Sequence, residues 1–170
     1  PTPDPSRLSA EALRPDFPEI LETNLRLIEK GIPIWIGSFR KSQKYHGRKL
    51  GEKLARHPAF QGIKAILLLD GEMPIDDLGD VFWRFTNNVD MRRDTRVVED
   101  EAGLLHLIVD ASVKSLALDD FQRPWPNVTV MDEATIQKVD EKWELYGLGP
   151  FLSSPSRKYS LLVQGEGAVA

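Results

Sequence analysis

Residues 63–71 read IKAILLLDG, and this stretch decides the fold class. It is an almost unbroken apolar run that ends at the turn signal Asp70-Gly71. A strand that is apolar on both faces is typical of a parallel sheet that helices cover on both sides. We therefore predict a buried strand over Ile63–Leu69.

Upstream of this strand, the short apolar run from Ile32 to Phe39 predicts a second buried strand. A helix from about His46 to His57 is predicted between the two strands, and Pro58 ends it. Nearer the amino terminus, four apolar residues recur at helical spacing after the cap residue Asp16 and predict a first helix: Ile20, Leu21, Leu25 and Ile28.

Downstream, a helix is predicted from about Asp76, with a buried stripe formed by Leu78, Val81, Phe82 and Phe85. Two strands follow over residues 96–99 and 104–109, paired through a turn at residues 101–103. Residues 115–128 read as a loop. Asp132 caps a last helix, whose apolar stripe is Ile136, Val139, Trp143 and Tyr146.

This order of helices and strands predicts an α/β fold, a layered domain with a partly parallel sheet flanked by helices. We expect the domain to span residues 17–150, after a proline-rich linker or arm over residues 1–16 and before an extended tail over residues 151–170. The apolar patch Leu161-Leu162-Val163 in that tail is expected to dock onto another chain or domain. Because the first residue is Pro1 and not methionine, we expect the chain to be cut from a longer protein.

The composition excludes several classes of function. The net charge of −4 argues against nucleic acid as a partner, since phosphate neutralisation needs an excess of clustered cations. The absence of cysteine excludes disulfides, zinc thiolate sites and a thiol nucleophile, and it fits a cytoplasmic location. No apolar run approaches the roughly 20 residues that span a bilayer, so we expect no membrane span.

A basic segment over Arg40–Arg56 carries seven cations and the single acid Glu52. It predicts either a site that binds phosphate or docks onto an acidic surface, or a helix face that is simply solvated. Gly47 and Gly51 lie four residues apart, so one face of this helix can approach another backbone closely.

Other polar clusters favour structural roles. Arg92-Arg93-Asp94 could bind a carboxylate or form a local ion-pair network. An acidic cluster could bind magnesium, but acids are expected at a strand end and in the first turn of a helix: Asp70, Glu72, Asp76, Asp77 and Asp80. The histidines His46, His57 and His106 lack metal-ligand spacing, so we predict no metal site. No nucleophile elbow, Walker loop or dinucleotide fingerprint is present, so the sequence does not support an autonomous hydrolase or nucleotide enzyme.

Several stretches together resemble the C-terminal domain of UbiD-type decarboxylases, which use prenylated FMN to decarboxylate aromatic and unsaturated acids reversibly. The resemblance covers residues 17–149. The stretches are Pro18-Glu19-Ile20, Tyr45-His46-Gly47-Arg48-Lys49, Lys64–Asp70 with Asp76–Trp83, Asp90-Met91-Arg92-Arg93-Asp94 and Asp110-Ala111-Ser112-Val113-Lys114. Met91 stands where the family has proline, and Ser112 where it has threonine.

A narrower resemblance is to the UbiD relatives of the futalosine pathway of menaquinone biosynthesis, which act on a naphthoate intermediate. It rests on Trp83-Arg84 with Asn87-Asn88, on Arg123–Asn127, and on Gly147–Phe151 with Ser154-Pro155-Ser156.

In the family, the flavin site and the catalytic arginine and glutamates lie in a preceding, larger domain, and nothing here resembles them. The resemblance thus implies the C-terminal, non-catalytic domain of a carboxy-lyase for a naphthoate or hydroxybenzoate type of acid in quinone biosynthesis. It would shape the active-site cleft and the oligomer. The implied partners are the N-terminal flavin-binding domain of the same protein, further copies in a homo-oligomer and the aromatic acid substrate.

Prenylated FMN is expected in the full-length protein and not on this part of it alone. Lys114 is the one residue proposed to contact the cofactor, through the flavin phosphate, and the alternative is a solvent-facing lysine at a strand end. Two other functions stay open: a free-standing accessory or assembly module without activity, and a small anion-binding enzyme that uses the basic segment.

Overall fold

The computed structural model describes residues 2–71 and 74–163. Its helices are α1 (Ala10–Leu13), α2 (Arg26–Glu29), α3 (His46–Arg56), α4 (Leu78–Asn88), α5 (Met91–Asp94), α6 (Leu116–Asp119) and α7 (Glu133–Glu141). Its strands are β1 (Ile20–Asn24), β2 (Ile34–Phe39), β3 (Ala65–Asp70), β4 (Thr95–Glu99) and β5 (Leu105–Asp110). Short 3₁₀ helices occupy Pro5–Arg7, Pro58–Phe60, Trp143–Tyr146 and Pro155–Leu162.

The strands form one five-stranded sheet in the order β1-β2-β3-β5-β4. The three central strands β2, β3 and β5 are parallel, and the edge strands β1 and β4 run antiparallel to their neighbours. This confirms the predicted α/β layered fold with a partly parallel sheet, and it confirms the predicted hairpin of β4 and β5.

Both faces of β2 and β3 are buried, as the apolar run of β3 predicted. Successive side chains of a strand point to opposite faces, and the two faces of this sheet build separate cores. One core packs against α3 and contains Trp35, Ile66, Leu68 and Ile108 of the sheet with Leu50 and Leu54 of the helix. The other contains Ile36, Leu67, Leu69 and Val109 with Val81 of α4.

The predicted first helix over residues 20–28 is wrong, because the structure has the edge strand β1 there, followed by the single turn α2. β1 pairs with β2, and its register shifts between Ile20 and Glu22. Pairing with an already buried strand stabilises these residues more than one isolated helical turn could. The irregular register also hides the alternation that would have marked a strand.

Two predicted helix stripes are partly wrong. In α4 Val81 is buried as predicted, but Phe82 is 44% exposed. The other buried residues of this helix are Arg84 and Asn88. Asn88 is buried because its side-chain amide donates to the Ala111 carbonyl, 2.9 Å away, so hydrogen bonding and not hydrophobicity fixes that face.

In α7 the cap is confirmed, since the Asp132 carboxylate accepts from the Thr135 amide at 2.8 Å. Ile136 is buried as predicted, whereas Val139 and Tyr146 are exposed. The predicted stripe therefore overestimates how much of this helix is covered.

Residues near the amino terminus contribute to the first core. Leu8 and Leu13 are almost completely buried, and the Trp35 indole nitrogen donates to the Leu8 carbonyl at 2.9 Å. The chain divides into two compact units between Pro124 and Trp125. The boundaries expected at residues 16 and 150 stay a prediction.

In the second unit, Trp143 contacts Phe151 edge-on and donates to the Gly149 carbonyl at 3.0 Å. Leu161 is 85% exposed and Leu162 is buried, and the docking of this patch onto another chain stays a prediction. Of the helices that the structure describes, none is long and apolar enough to cross a membrane.

Candidate functional site

The carboxyl ends of β2, β3 and β5 meet at one edge of the sheet, as parallel strands require. Open parallel sheets bind ligands at this edge. Here the segment 110–114, which follows β5, is the centre of a polar cluster to which each strand contributes.

Three side chains from different elements hold the segment 110–114. Its Val113 amide donates to Asp70 Oδ2 at the end of β3, 2.9 Å away. Its Ala111 carbonyl accepts from Asn88 of α4, and its Val113 carbonyl accepts from Lys41 Nζ, both at 2.9 Å. The segment is therefore fixed from three sides.

Lys114, the predicted contact to the cofactor, is only 4% exposed, so it is not the solvent-facing lysine of the alternative interpretation. Its ammonium group donates to the carbonyls of Asp110 and Ser112 at 2.9 and 2.7 Å. It also lies 3.1 Å from Asp110 Oδ1 and 3.7 Å from Asp94 Oδ1. An ammonium group has three hydrogens, and protein oxygens already surround them.

Arg93 forms the local ion pair that was one of its two predicted roles. Its Nε and Nη2 donate to the two carboxylate oxygens of Asp94 at 2.8 and 2.6 Å. The hydrogen bond to Asp94 raises the pKa of Arg93 above its usual value. The Asp90 carboxylate caps α5 by accepting from the amides of Arg92 and Arg93.

The glycine pair of α3 lets the helix lie directly against β5, as its spacing predicted. A Cβ atom on Gly47 would lie 2.3 Å from Asp110 Oδ2, and one on Gly51 would lie 2.2 Å from Ile108 Cγ2. Any side chain at Gly47 would therefore displace the Asp110 carboxylate.

A cavity of about 250 Å³ opens beside this cluster. Residues from three of the stretches that carry the family resemblance meet there, which their distance along the chain did not reveal. Its lining consists of Tyr45, Arg48, Arg93, Asp94, Arg96, Ile108, Asp110, Lys114 and Asp119.

The basic segment over Arg40–Arg56 is partly neutralised by acids of the same unit. Lys41 lies 2.6 Å from Asp119, and Lys44 lies 2.7 Å from Asp120. Arg48 pairs with Glu52 at 3.2 Å. The remaining cations of the segment are exposed, and their role toward another domain stays a prediction.

Sequence reasoning missed two residues of the cavity. Arg96 carried a signal, because it is the one cation of β4 and stands beside the apolar pair Val97-Val98. Asp119 carried none, since its importance comes from the contact with Lys41, 78 positions away in the chain.

Two members of the acidic cluster, Asp70 and Asp77, have structural roles. Asp70 holds the Val113 amide, and Asp77 caps α4 by accepting from the Gly79 amide at 2.7 Å. Glu72 lies outside the described residues. Over the part of the chain that the structure describes, no group of three or more histidines and acids is arranged to hold a metal ion.

Comparison with known proteins gives a family match and a set of structural neighbours. The family described as "3-octaprenyl-4-hydroxybenzoate carboxy-lyase C-terminal domain" matches residues 5–114. A protein of Aquifex aeolicus, itself uncharacterized, is 26% identical over an alignment of 122 residues that covers 65% of this chain and 25% of the relative.

Three solved structures share the fold at low sequence identity. The vanillic acid decarboxylase of Sedimentibacter hydroxybenzoicus, in its closed form, has a TM-score of 0.58 at 15% identity, over 82% of this chain and 31% of its own. An evolved dimeric form of the UbiD-class enzyme HmfF of Pelotomaculum thermopropionicum, solved with prFMN, has a TM-score of 0.52 at 16% identity, over 67% and 25%. The 3,4-dihydroxybenzoic acid decarboxylase of Klebsiella pneumoniae has a TM-score of 0.51 at 14% identity, over 94% and 32%. The chain thus spans a third or less of the length of each relative.

Proposed function

Because the chain belongs to the family of 3-octaprenyl-4-hydroxybenzoate carboxy-lyase C-terminal domains, we propose that it is the non-catalytic C-terminal domain of a UbiD-type decarboxylase. The full-length enzyme would act on an aromatic acid of the naphthoate or hydroxybenzoate type in quinone biosynthesis. The observation that carries this proposal is the family match over residues 5–114, which includes every strand of the sheet.

Prenylated FMN would supply the electron sink for decarboxylation when bound to the full-length protein. The cavity of about 250 Å³ is smaller than the roughly 300–1,000 Å³ of typical small-molecule sites. This volume is small for a tricyclic flavin with its ribityl phosphate, and we expect the preceding flavin domain to bind the cofactor.

The contribution of this chain would be a rigid wall of the active-site cleft and a surface for assembly. The segment 110–114 suits such a wall, since Asp70, Asn88 and Lys41 hold it from three sides. A wall that excludes water strengthens electrostatic interactions within a closed site. The flavin domain and further copies of the chain are the proposed partners.

Lys114 stays the proposed contact to the flavin phosphate. For that contact the phosphate would replace one of the protein oxygens that now surround the ammonium group. Since the segment is anchored by its neighbours, the lysine would be presented at a fixed position.

The length of the relatives favours this function over a free-standing accessory module. The chain covers 25–32% of the relatives compared above, which leaves room in each of them for a larger second domain. Reading the gene upstream of Pro1 separates the two: a flavin domain in the same frame supports the proposal.

The activity itself is tested by measuring carbon dioxide release from the full-length protein loaded with prenylated FMN. Hydroxybenzoates and naphthoates are offered in parallel, with the protein loaded with unmodified FMN as the control. We expect release from one of the two substrate classes and only with the prenylated cofactor. No release from either class would overturn the proposed function.

A further inference from the structure

Arg96 differs from the other charged residues that line the cavity. It lies on β4 opposite Ile108 of β5. Its Nη1 donates to the Thr95 carbonyl at 2.7 Å and more weakly to the Arg92 carbonyl at 3.4 Å. Among residues 2–71 and 74–163 it has no acidic partner, and its Nε and Nη2 donate to no protein oxygen.

The other charges around the cavity are compensated by close partners. Asp94 is held by Arg93, and Asp110 by Lys114. The third acid, Asp119, is held by Lys41 from outside the lining, and Arg48 lies against Glu52. One surplus positive charge therefore remains at the cavity, and it belongs to Arg96.

This surplus selects the charge of a ligand. A single negative charge would be balanced by Arg96, whereas a dianion would carry a second charge toward three carboxylates that line the same space. The free Nε and Nη2 donors are parallel, and this arrangement matches the two oxygens of a carboxylate.

The size and the walls of the cavity select the body of the ligand. Ile108 and the ring of Tyr45 add apolar surface beside the guanidinium. A cavity of about 250 Å³ accommodates a single ring or a short branched chain, below the volume of typical drug-sized sites.

We propose that this cavity binds a small organic monocarboxylate, whose carboxylate pairs with the Arg96 guanidinium and whose apolar body contacts Tyr45 and Ile108. Lys114 lines the same cavity, but this proposal does not use it, since the carboxylate would pair with the Arg96 guanidinium. It does not depend on the flavin domain or on decarboxylation.

The test measures binding of benzoate to the 170-residue chain by isothermal calorimetry, without flavin. Benzyl alcohol serves as the neutral analogue and inorganic phosphate as the tetrahedral oxyanion, both with the unmodified protein. We expect saturable binding of benzoate and at least about tenfold weaker binding of the other two, as a charge-assisted hydrogen-bonded pair supplies. Equal binding of benzoate and benzyl alcohol, or no binding of benzoate, would overturn the proposal.

Three variants test whether benzoate binds at this cavity. Arg96→Met removes the guanidinium, while Arg92→Met removes an exposed arginine of α5 that is absent from the cavity lining. We expect the Kd for benzoate to rise about tenfold or more in the first variant and to stay unchanged in the second. Arg96→Lys keeps the charge but loses the paired donors and should give an intermediate Kd. Unchanged affinity in Arg96→Met would show that benzoate binds elsewhere and would contradict the assignment.

Discussion

At Lys114, a side chain that usually extends into water is 4% exposed and surrounded by oxygens of the segment 110–114 and Asp94. Burial of a charge is costly unless hydrogen bonds and an opposite charge compensate it. Here the ammonium group compensates two buried carboxylates at once, those of Asp110 and Asp94. Lys114 therefore stabilises the segment 110–114, whether or not it also contacts a cofactor in the full-length protein.

Replacing Lys114 with methionine should destabilise the domain strongly, because it leaves the Asp110 carboxylate buried without its cation. We expect the free energy of unfolding, measured by urea titration, to fall by about 3 kcal/mol. Lys49→Met on the exposed face of α3 is the control and should change it by less than about 0.5 kcal/mol. A loss no larger than that of the control would show that the buried pair is not stabilising.

Gly47→Ala should also destabilise the domain, although alanine is the better helix former by about 1 kcal/mol. The new Cβ would lie 2.3 Å from Asp110 Oδ2, so the helix or the carboxylate must move. We expect a net loss of about 1–3 kcal/mol in the same unfolding measurement. Lys53→Ala, on the exposed face of α3, controls for helix propensity. A variant as stable as the wild type would mean that α3 can retreat from β5 without cost.

Sequence reasoning succeeded at the residue scale where a short-range rule applied. The spacing of Gly47 and Gly51 predicted the close approach of α3, since positions four apart share one helix face. It failed for Arg96 and Asp119, because folding and not local spacing brings both residues to the cavity. The depth of Lys114 was missed for the same reason.

Among the elements, the turn between β4 and β5 depends on an ionised carboxylate. Asp100 accepts from the amides of Ala102 and Leu104 at 2.9 and 2.8 Å. The hydrogen bond from the Leu104 amide is the main cause that holds the pKa of Asp100 below its usual value. A depressed pKa means that the folded state favours the ionised form.

We therefore expect Asp100→Ala to lower stability near neutral pH, with a difference from the wild type that shrinks in acid. The contribution of Asp100 is fully present above its unfolded pKa of about 3.9 and is lost as the pH falls through the lower folded pKa. Thermal unfolding of both proteins between about pH 7 and pH 2.5 checks this. Glu101→Ala, an exposed acid in the same turn, is the control. A difference that grows in acid would contradict the assigned direction.

Replacing two cations of the basic segment tests whether this face of α3 contacts the flavin domain or its cofactor. Arg48→Ala combined with Lys49→Ala should leave the stability of the isolated chain nearly unchanged, since both side chains are exposed. In the full-length protein we expect weaker flavin retention or weaker domain packing. Flavin absorbance after gel filtration measures the first and limited proteolysis the second. Unaltered flavin content and activity would show that the segment is a solvated helix face without a role toward the flavin domain.

The elements that sequence predicted best are those with one dominant signal. β3 is an almost continuous apolar run, β2 is a short and mostly apolar one, and α3 ends just before a proline as expected. The prediction failed at β1, where four apolar residues imitate a helical period and a register shift hides the strand. Pairing with β2, which no local pattern encodes, decides that region.

Across the whole molecule, separate stretches carry the resemblance and meet only after folding. Tyr45, Asp94 and Lys114 come from three of them and line one cavity. The family and the fold class followed from the sequence, because the order of the motifs and the alternation of helices and strands persist when sequences diverge. The cavity did not, since its lining comes from α3, α5, β4, β5 and the residues after β5, which lie together only in the folded chain.

In the proposed function, this chain is the non-catalytic part of a decarboxylase whose catalytic groups lie in another domain. For the most direct measurement, the 170-residue chain and the preceding flavin domain are produced as two polypeptides. Carbon dioxide release is then measured with prenylated FMN, for each polypeptide alone and for the two combined. We predict no release from the chain alone and substrate turnover only when the two are combined. Turnover by the chain alone would contradict the claim, and so would a flavin domain that reaches the full-length rate without it.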